Sequence, residues 1–180
     1  MLELTNMFYI RQVDNNIRKD SKYIMMEELI KKAEEKGINV EDLIISALSR
    51  EDPQEGIKLR LTLAEKYMKE AEEYLTKGDV VQSSEKAYKV AEEIVKAFAE
   101  KFNLAEYQQA VKEDRWHTYT LANAAAKLSS RLGDWIKTGW NSAYTLHVWG
   151  FHEAKLDMDS VKNLLQDIKR MLEESKKILS

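Results

Sequence analysis

Residues 53–102 read PQEGIKLRLTLAEKYMKEAEEYLTKGDVVQSSEKAYKVAEEIVKAFAEKF, and this stretch decides the fold. Ile57, Leu61, Ala64, Met68, Ala71 and Leu75 step by four and three, drawing one apolar stripe down a helix. Tyr67 and Tyr74 broaden that stripe. Pro53 suits the first turn, where its missing N–H has no helical partner to lose. Lys77-Gly78-Asp79 is then a compact stop and start: Gly78 fits the left-handed position after one helix, and Asp79 caps the next. The second helix extends to about Phe102, with Ala87, Ala91, Ile94, Phe98 and Phe102 on one face. So short a connection forces the two helices antiparallel, as legs of a bundle.

Helical spacing continues on both sides. Ile24, Met25, Leu29 and Ala33 form a first segment that Gly37 stops, and Asn39 can cap a short second one. These make a small helical hairpin over residues 22–50, ahead of the main domain. After Asn103 the signal loosens through residues 104–117, then returns with Leu121, Ala124, Ala125 and Leu128 and ends near Gly133. Asp134 can cap a further helix with Ile136, Trp140, Tyr144, His147, Val148 and Phe151 along one side. Ala143, Gly150 and Ala154 lie beside that side and permit a close helix approach. Val161, Leu164, Ile168, Met171 and Ile178 mark the last helix, with Ser175 in its one polar slot. The expected fold is all-α: residues 1–52 as a tail and hairpin, and residues 53–180 as an antiparallel up-and-down bundle of four to five helices.

Composition narrows the function. The 180 residues contain one Pro, six Gly and no Cys, which leaves too few turns for an all-β fold and excludes disulfides, thiolate metal sites and cysteine nucleophiles. With 28 basic and 31 acidic residues the net charge is −3, so no overall field attracts nucleic acid. The longest uncharged run, residues 138–152, is short of the roughly 20 residues a membrane helix needs. The first twenty residues hold no apolar stretch of signal-peptide length. A cytoplasmic protein is expected, with its polar N-terminal tail held either by its own surface or by a second subunit.

Candidate chemistry centres on the histidines. His147 and His152 are five apart, which on an α-helix points them about 140° apart. A metal pair on one helix needs a spacing of three or four, so no metal and no cofactor is expected. His147 reads as a core or interface histidine, and His152, beside Glu153, as solvated. His117 follows Arg115-Trp116 just before a helix, where N–H groups and a cation could receive a phosphate, though loops collect such residues anyway. Trp140 fits the buried stripe, whereas Trp149 points away from it and reads as a subunit contact or stacking surface. Trp116 and Phe151 join it as candidate contacts. Lys86, Lys89, Glu92, Glu93 and Lys96 form the polar side of the helix after Asp79, and their mixed charges read as a solvated face. Lys86 and Lys89 are its candidate binding residues.

Two stretches carry a family resemblance. GDVVQSSEKAYKVAEEIVKAFA (78–99) resembles the second helix of the archaeal PaREP-type proteins, and WNSAYTLHVWGFHEAKLD (140–157) resembles their later signature. Ala64, Tyr67, Ala71, Tyr74 and Leu75 fit the first helix, so the resemblance spans about residues 53–172. These proteins are in turn similar to the HEPN superfamily of helical nucleotide- and RNA-associated domains. The resemblance implies an antiparallel bundle, commonly a homodimer, and the Lys/Glu-rich composition suits a thermophilic archaeal source. Many superfamily members are ribonucleases that use an Arg four to six residues before a His. That spacing is absent: Arg115 precedes His117 by two positions and Arg131 precedes His147 by sixteen. The leading expectation is therefore a non-enzymatic helical module that dimerises and binds nucleotide, RNA or a protein partner. The alternative is a metal-independent, toxin-like ribonuclease with His117 or His147 as general base and Arg115 or Arg131 stabilising the phosphorane.

Overall fold

The computed structural model describes residues 22–33 and 35–179, and every regular element among them is a helix. The expectation about the N-terminal tail lies outside the described residues. Two compact units divide between Ala47 and Leu48. In the first, helix α1 (22–33) leads to Gly37, whose φ of +72° favours glycine. Asn39 then caps α2 (Val40–Glu51) by accepting the Asp42 N–H at 2.9 Å, and the last residues of α2, from Leu48, belong to the second unit.

The second unit is built on α3 (Pro53–Thr76) and α4 (Val80–Lys101). Asp52 caps α3, accepting the N–H groups of Gln54 and Glu55 at 3.0 and 3.1 Å, and Pro53 enters its first turn. Gly78 has φ +79°, and Asp79 accepts the Gln82 N–H at 3.0 Å, so the turn forms as its residues dictate. Contacts between the two helices run in opposite chain order: Arg60 meets Glu93, Glu70 meets Lys86, and Ala71 meets Ser83. That order is antiparallel.

The chain then adds α5 (Ala105–Glu113), α6 (Thr118–Leu132), α7 (Asp134–Thr145) and α8 (Met158–Leu179). Residues 104–117 therefore hold a helix where the apolar periodicity lapses. Helix α5 buries only Ala110 and Glu106, the latter paired with Lys127 at 2.6 Å, so it has no apolar stripe to announce it. It raises the helices of this unit to six, beyond the four to five expected. Gly133, rather than Asp134, takes the position ahead of α7; Asp134 is the first helical residue and contributes charge without a side-chain cap.

Helix α8 lies antiparallel to both α3 and α7. Lys169 and Lys176 reach Glu72 and Glu65 of α3 at 2.7 and 2.5 Å. Ser142 of α7 donates to Asp167 at 2.6 Å, and Gly139 sits against Met171. The buried line of α8 is Val161, Leu165, Ile168, Met171, Leu172, Ser175 and Leu179, while Ile178 is exposed. Leu121, Ala124, Ala125 and Leu128 of α6 are buried as their spacing predicts. An up-and-down helical bundle results, with α4 in its middle. Fourteen of the 22 residues of α4 are buried, including charged ones, so the solvated face expected of Glu93 and Lys96 does not exist.

Candidate functional site

Two polar clusters reach into the bundle from α4. Near its C-terminal end, Arg60, Glu93 and Lys96 are only 2, 2 and 1% exposed. Arg60 Nη1 donates to Glu93 Oε2 at 2.7 Å, and its Nε lies 3.7 Å from Glu100 Oε2. Lys96 Nζ bridges Glu93 at 3.1 Å and Glu92 at 2.8 Å. Ser49 donates to Glu100 at 3.4 Å, and the Tyr107 hydroxyl bonds the same carboxylate. Burial pushes the Glu100 carboxyl above its ordinary range despite Arg60 and these hydrogen bonds. Each charge meets an opposite one, which is how buried ions are tolerated. Sequence reasoning missed this cluster. The apolar set Ala87, Val90, Ala91, Ile94, Val95, Ala97 and Phe98 covers less than half of the circumference of α4, at about 100° per residue, so Glu93, Lys96 and Glu100 fall on its polar side and no local pattern announces their burial.

The second cluster forms where α4 faces residues Leu146–His152. There the α7 helix widens into a π-helical segment, closed by the Glu153 N–H donating to Val148 O at 2.9 Å. In a π-helix, hydrogen bonds join residues five apart, so such residues stand one turn apart. The divergence of about 140° expected for an α-helix does not occur. His147 Nε2 and His152 Nε2 lie 3.2 Å from each other, with ring centroids 4.4 Å apart and planes at 80°. His147 also stacks on Tyr88 of α4, with ring centroids 4.0 Å apart. Gly150 is buried, and a Cβ there would overlap the Ser84 hydroxyl. The close approach anticipated at Gly150 is real, and it fastens the π segment to α4.

His147 is half-buried, and its Nδ1 is buried without a hydrogen-bond partner. Burial, then the neighbouring His152, holds its pKa below the ordinary histidine value; Glu85 opposes this. The imidazole is thus neutral near neutral pH, able to accept a proton or to bind a cation. Burial pushes the Tyr88 phenol well above the ordinary tyrosine range, so it remains a neutral hydrogen-bonding group paired with Thr118. His152 is exposed as expected, yet held in the pair. Phe151 is half-buried with its ring 4.9 Å from His152. Trp149 points outward, 52% exposed, while Trp140 is buried against Tyr88.

The other candidates lie elsewhere. Arg131 stacks on Phe102 at 3.8 Å. Phe102 follows Tyr88 by fourteen residues, about 21 Å along α4 at 1.5 Å per residue, which separates Arg131 from His147. His117 pairs with Glu113 at 3.2 Å and stacks on Tyr119 at 5.3 Å. Arg115 is exposed and Trp116 half-buried in the turn before α6. Thr118, the residue after His117, hydrogen-bonds Tyr88, on which His147 stacks. Lys86 is bound to Glu70 at 2.8 Å and Lys89 to Glu85 at 3.4 Å, both beside the Tyr67 ring. Among the described residues no group of three or more His, Cys, Asp or Glu could hold a metal, and no helix is long and apolar enough to cross a membrane.

The model of the archaeal PaREP1/PaREP8 family matches residues 59–172, from the second turn of α3 into α8. The chain is also similar to the crystal structure of a protein from Sulfolobus solfataricus. The two share 42% identity with a TM-score of 0.60, covering 66% of this chain and 97% of that one. No curated protein matches the chain. The family match spans both the buried ionic cluster and the paired histidines.

Proposed function

The chain belongs to the archaeal PaREP1/PaREP8 family, and from that premise we propose that it is a HEPN-like, non-catalytic binding module. In this reading it is a cytoplasmic homodimer whose subunits meet at the π-helical face, with nucleotide or RNA as the ligand class. Trp149 carries the reading: a large indole, 52% exposed, projects from a segment otherwise fastened to α4 through Gly150. A rigidly held, exposed tryptophan is the kind of residue that anchors a protein interface. The absence of catalysis is supported by the distance of Arg131 from His147 and by the engagement of Lys86 and Lys89 in ion pairs. Sedimentation at micromolar concentration tests the dimer: the wild-type chain is expected to be dimeric and Trp149→Ser monomeric. A wild-type monomer that recovers no partner overturns the reading.

A second reading, metal-independent ribonuclease, is favoured by one observation. Tyr88 stacks on His147 and hydrogen-bonds Thr118, the neighbour of His117, so one tyrosine links the elements that carry two histidines of a general acid–base set. Arg115, in the same turn, is the cation that could stabilise the phosphorane. Labelled RNA cleaved by the wild-type chain but not by His117→Ala or His147→Ala would establish it. Cleavage unchanged in both variants would remove these assignments.

A further inference from the structure

We propose that His147 and His152 form a two-nitrogen chelate for a borderline transition-metal dication, with Cu(II) bound most tightly and Zn(II) next. The π turn supplies the geometry. At the usual metal–imidazole distance of about 2.0–2.1 Å, two Nε2 atoms 3.2 Å apart subtend about 100° at a shared ion, between square-planar and tetrahedral angles. The two nitrogens thus already stand at the separation that a shared ion requires.

The surroundings suit a borderline, open site. Imidazole nitrogens select copper, zinc and nickel over magnesium or calcium, and the order of intrinsic affinity places Cu(II) above Zn(II). Tyr88 stacks on one face of His147 and fixes its orientation, which lowers the entropy lost on chelation. In the metal-free pair one ring donates an N–H to the other. Chelation moves that proton from Nε2 to Nδ1 of the same ring and releases none from the neutral pair. His152 is exposed, so water completes the coordination of the ion. Both nitrogens belong to one chain, so metal binding is read by a measurement separate from that of the dimer at the same face and from any ribonuclease activity. Its failure and theirs are therefore distinguishable.

The test is calorimetric titration of the full chain with Cu(II) and with Zn(II) at neutral pH, together with electron paramagnetic resonance of the copper form. One ion per chain is expected, with nitrogen hyperfine structure from two imidazoles. Exposed His152→Ala should lose at least tenfold in affinity, while His117→Ala, in the other turn, should bind as the wild type does. His147→Gln should behave as His152→Ala, and circular dichroism of both variants separates lost binding from lost fold. Affinity unchanged in His152→Ala, or lost in His117→Ala instead, overturns the proposal.

Discussion

The two ends of helix α4 bring polar groups into the same bundle and treat them in opposite ways. At the Glu93–Glu100 end, Arg60 and Lys96 are matched by three carboxylates, with Ser49 and Tyr107 adding hydrogen bonds. At the Ser84–Tyr88 end, the histidine pair is held by stacking, one of its nitrogens is buried without a partner, and the other ring faces solvent. At the first end the charges are matched, although Glu100 Oε1 has no hydrogen-bond partner; at the second, neutral rings retain capacity for a proton, an ion or a partner. The difference teaches that burial alone does not mark function. What marks it is unfilled bonding capacity on a neutral pair that solvent can reach.

The comparison can be broken most forcefully at Glu93. Glu93→Ala strands both Arg60 and Lys96 with less compensation, and a loss of about 3–5 kcal/mol in chemical denaturation is expected for an uncompensated buried charge. A loss near zero would mean that the network opens to water. Next comes Gly150→Ala, whose added methyl collides with Ser84; about 1–3 kcal/mol is the expected cost of overpacking. The same variant should separate the two imidazoles, visible as a change in their proton resonances. If the π turn survived unaltered, its anchoring through Gly150 would be wrong.

Smaller effects sharpen the contrast. His147 holds its proton less firmly when folded than when unfolded. The unfolded chain therefore takes up more protons as pH falls through about 6.5, and stability decreases there, by at most about 1.4 kcal/mol per pH unit for one group. His147→Phe should flatten this slope in melting curves between about pH 7.5 and 5.5. Glu100 acts with the opposite sign: its raised pKa makes stability decline as pH rises from the ordinary glutamate value through the folded one. The smallest change is expected at Lys86→Ala, which cuts the Glu70 pair and the contact with Tyr67; about 1 kcal/mol or less should be lost.

Much of the bundle was legible because it rests on local chemistry. The Lys77-Gly78-Asp79 turn, the Asn39 cap, the stripe of α6 and the outward Trp149 all follow from the conformational needs of a few neighbouring residues. Less was legible at the site. Glu93 and Lys96 look like surface residues at helical spacing, and only the arrival of Arg60 from α3 makes their burial tolerable. Helix α5 escaped notice because a lysine from α6, rather than an apolar stripe, completes its buried face.

Local pattern by itself determined that this chain is helical, where most of its helices start and stop, and that α3 and α4 run antiparallel. Those outcomes depend on side-chain periodicity and capping, which act within a few residues. Tertiary structure alone decided that α4 is enclosed and that the chain passes through a π turn at Leu146–His152. A π turn has poorer local hydrogen bonding than an α-helix, so it persists where packing such as Gly150 against Ser84 compensates. That one extra residue in the turn converts two histidines that an α-helix would point apart into a pair 3.2 Å apart.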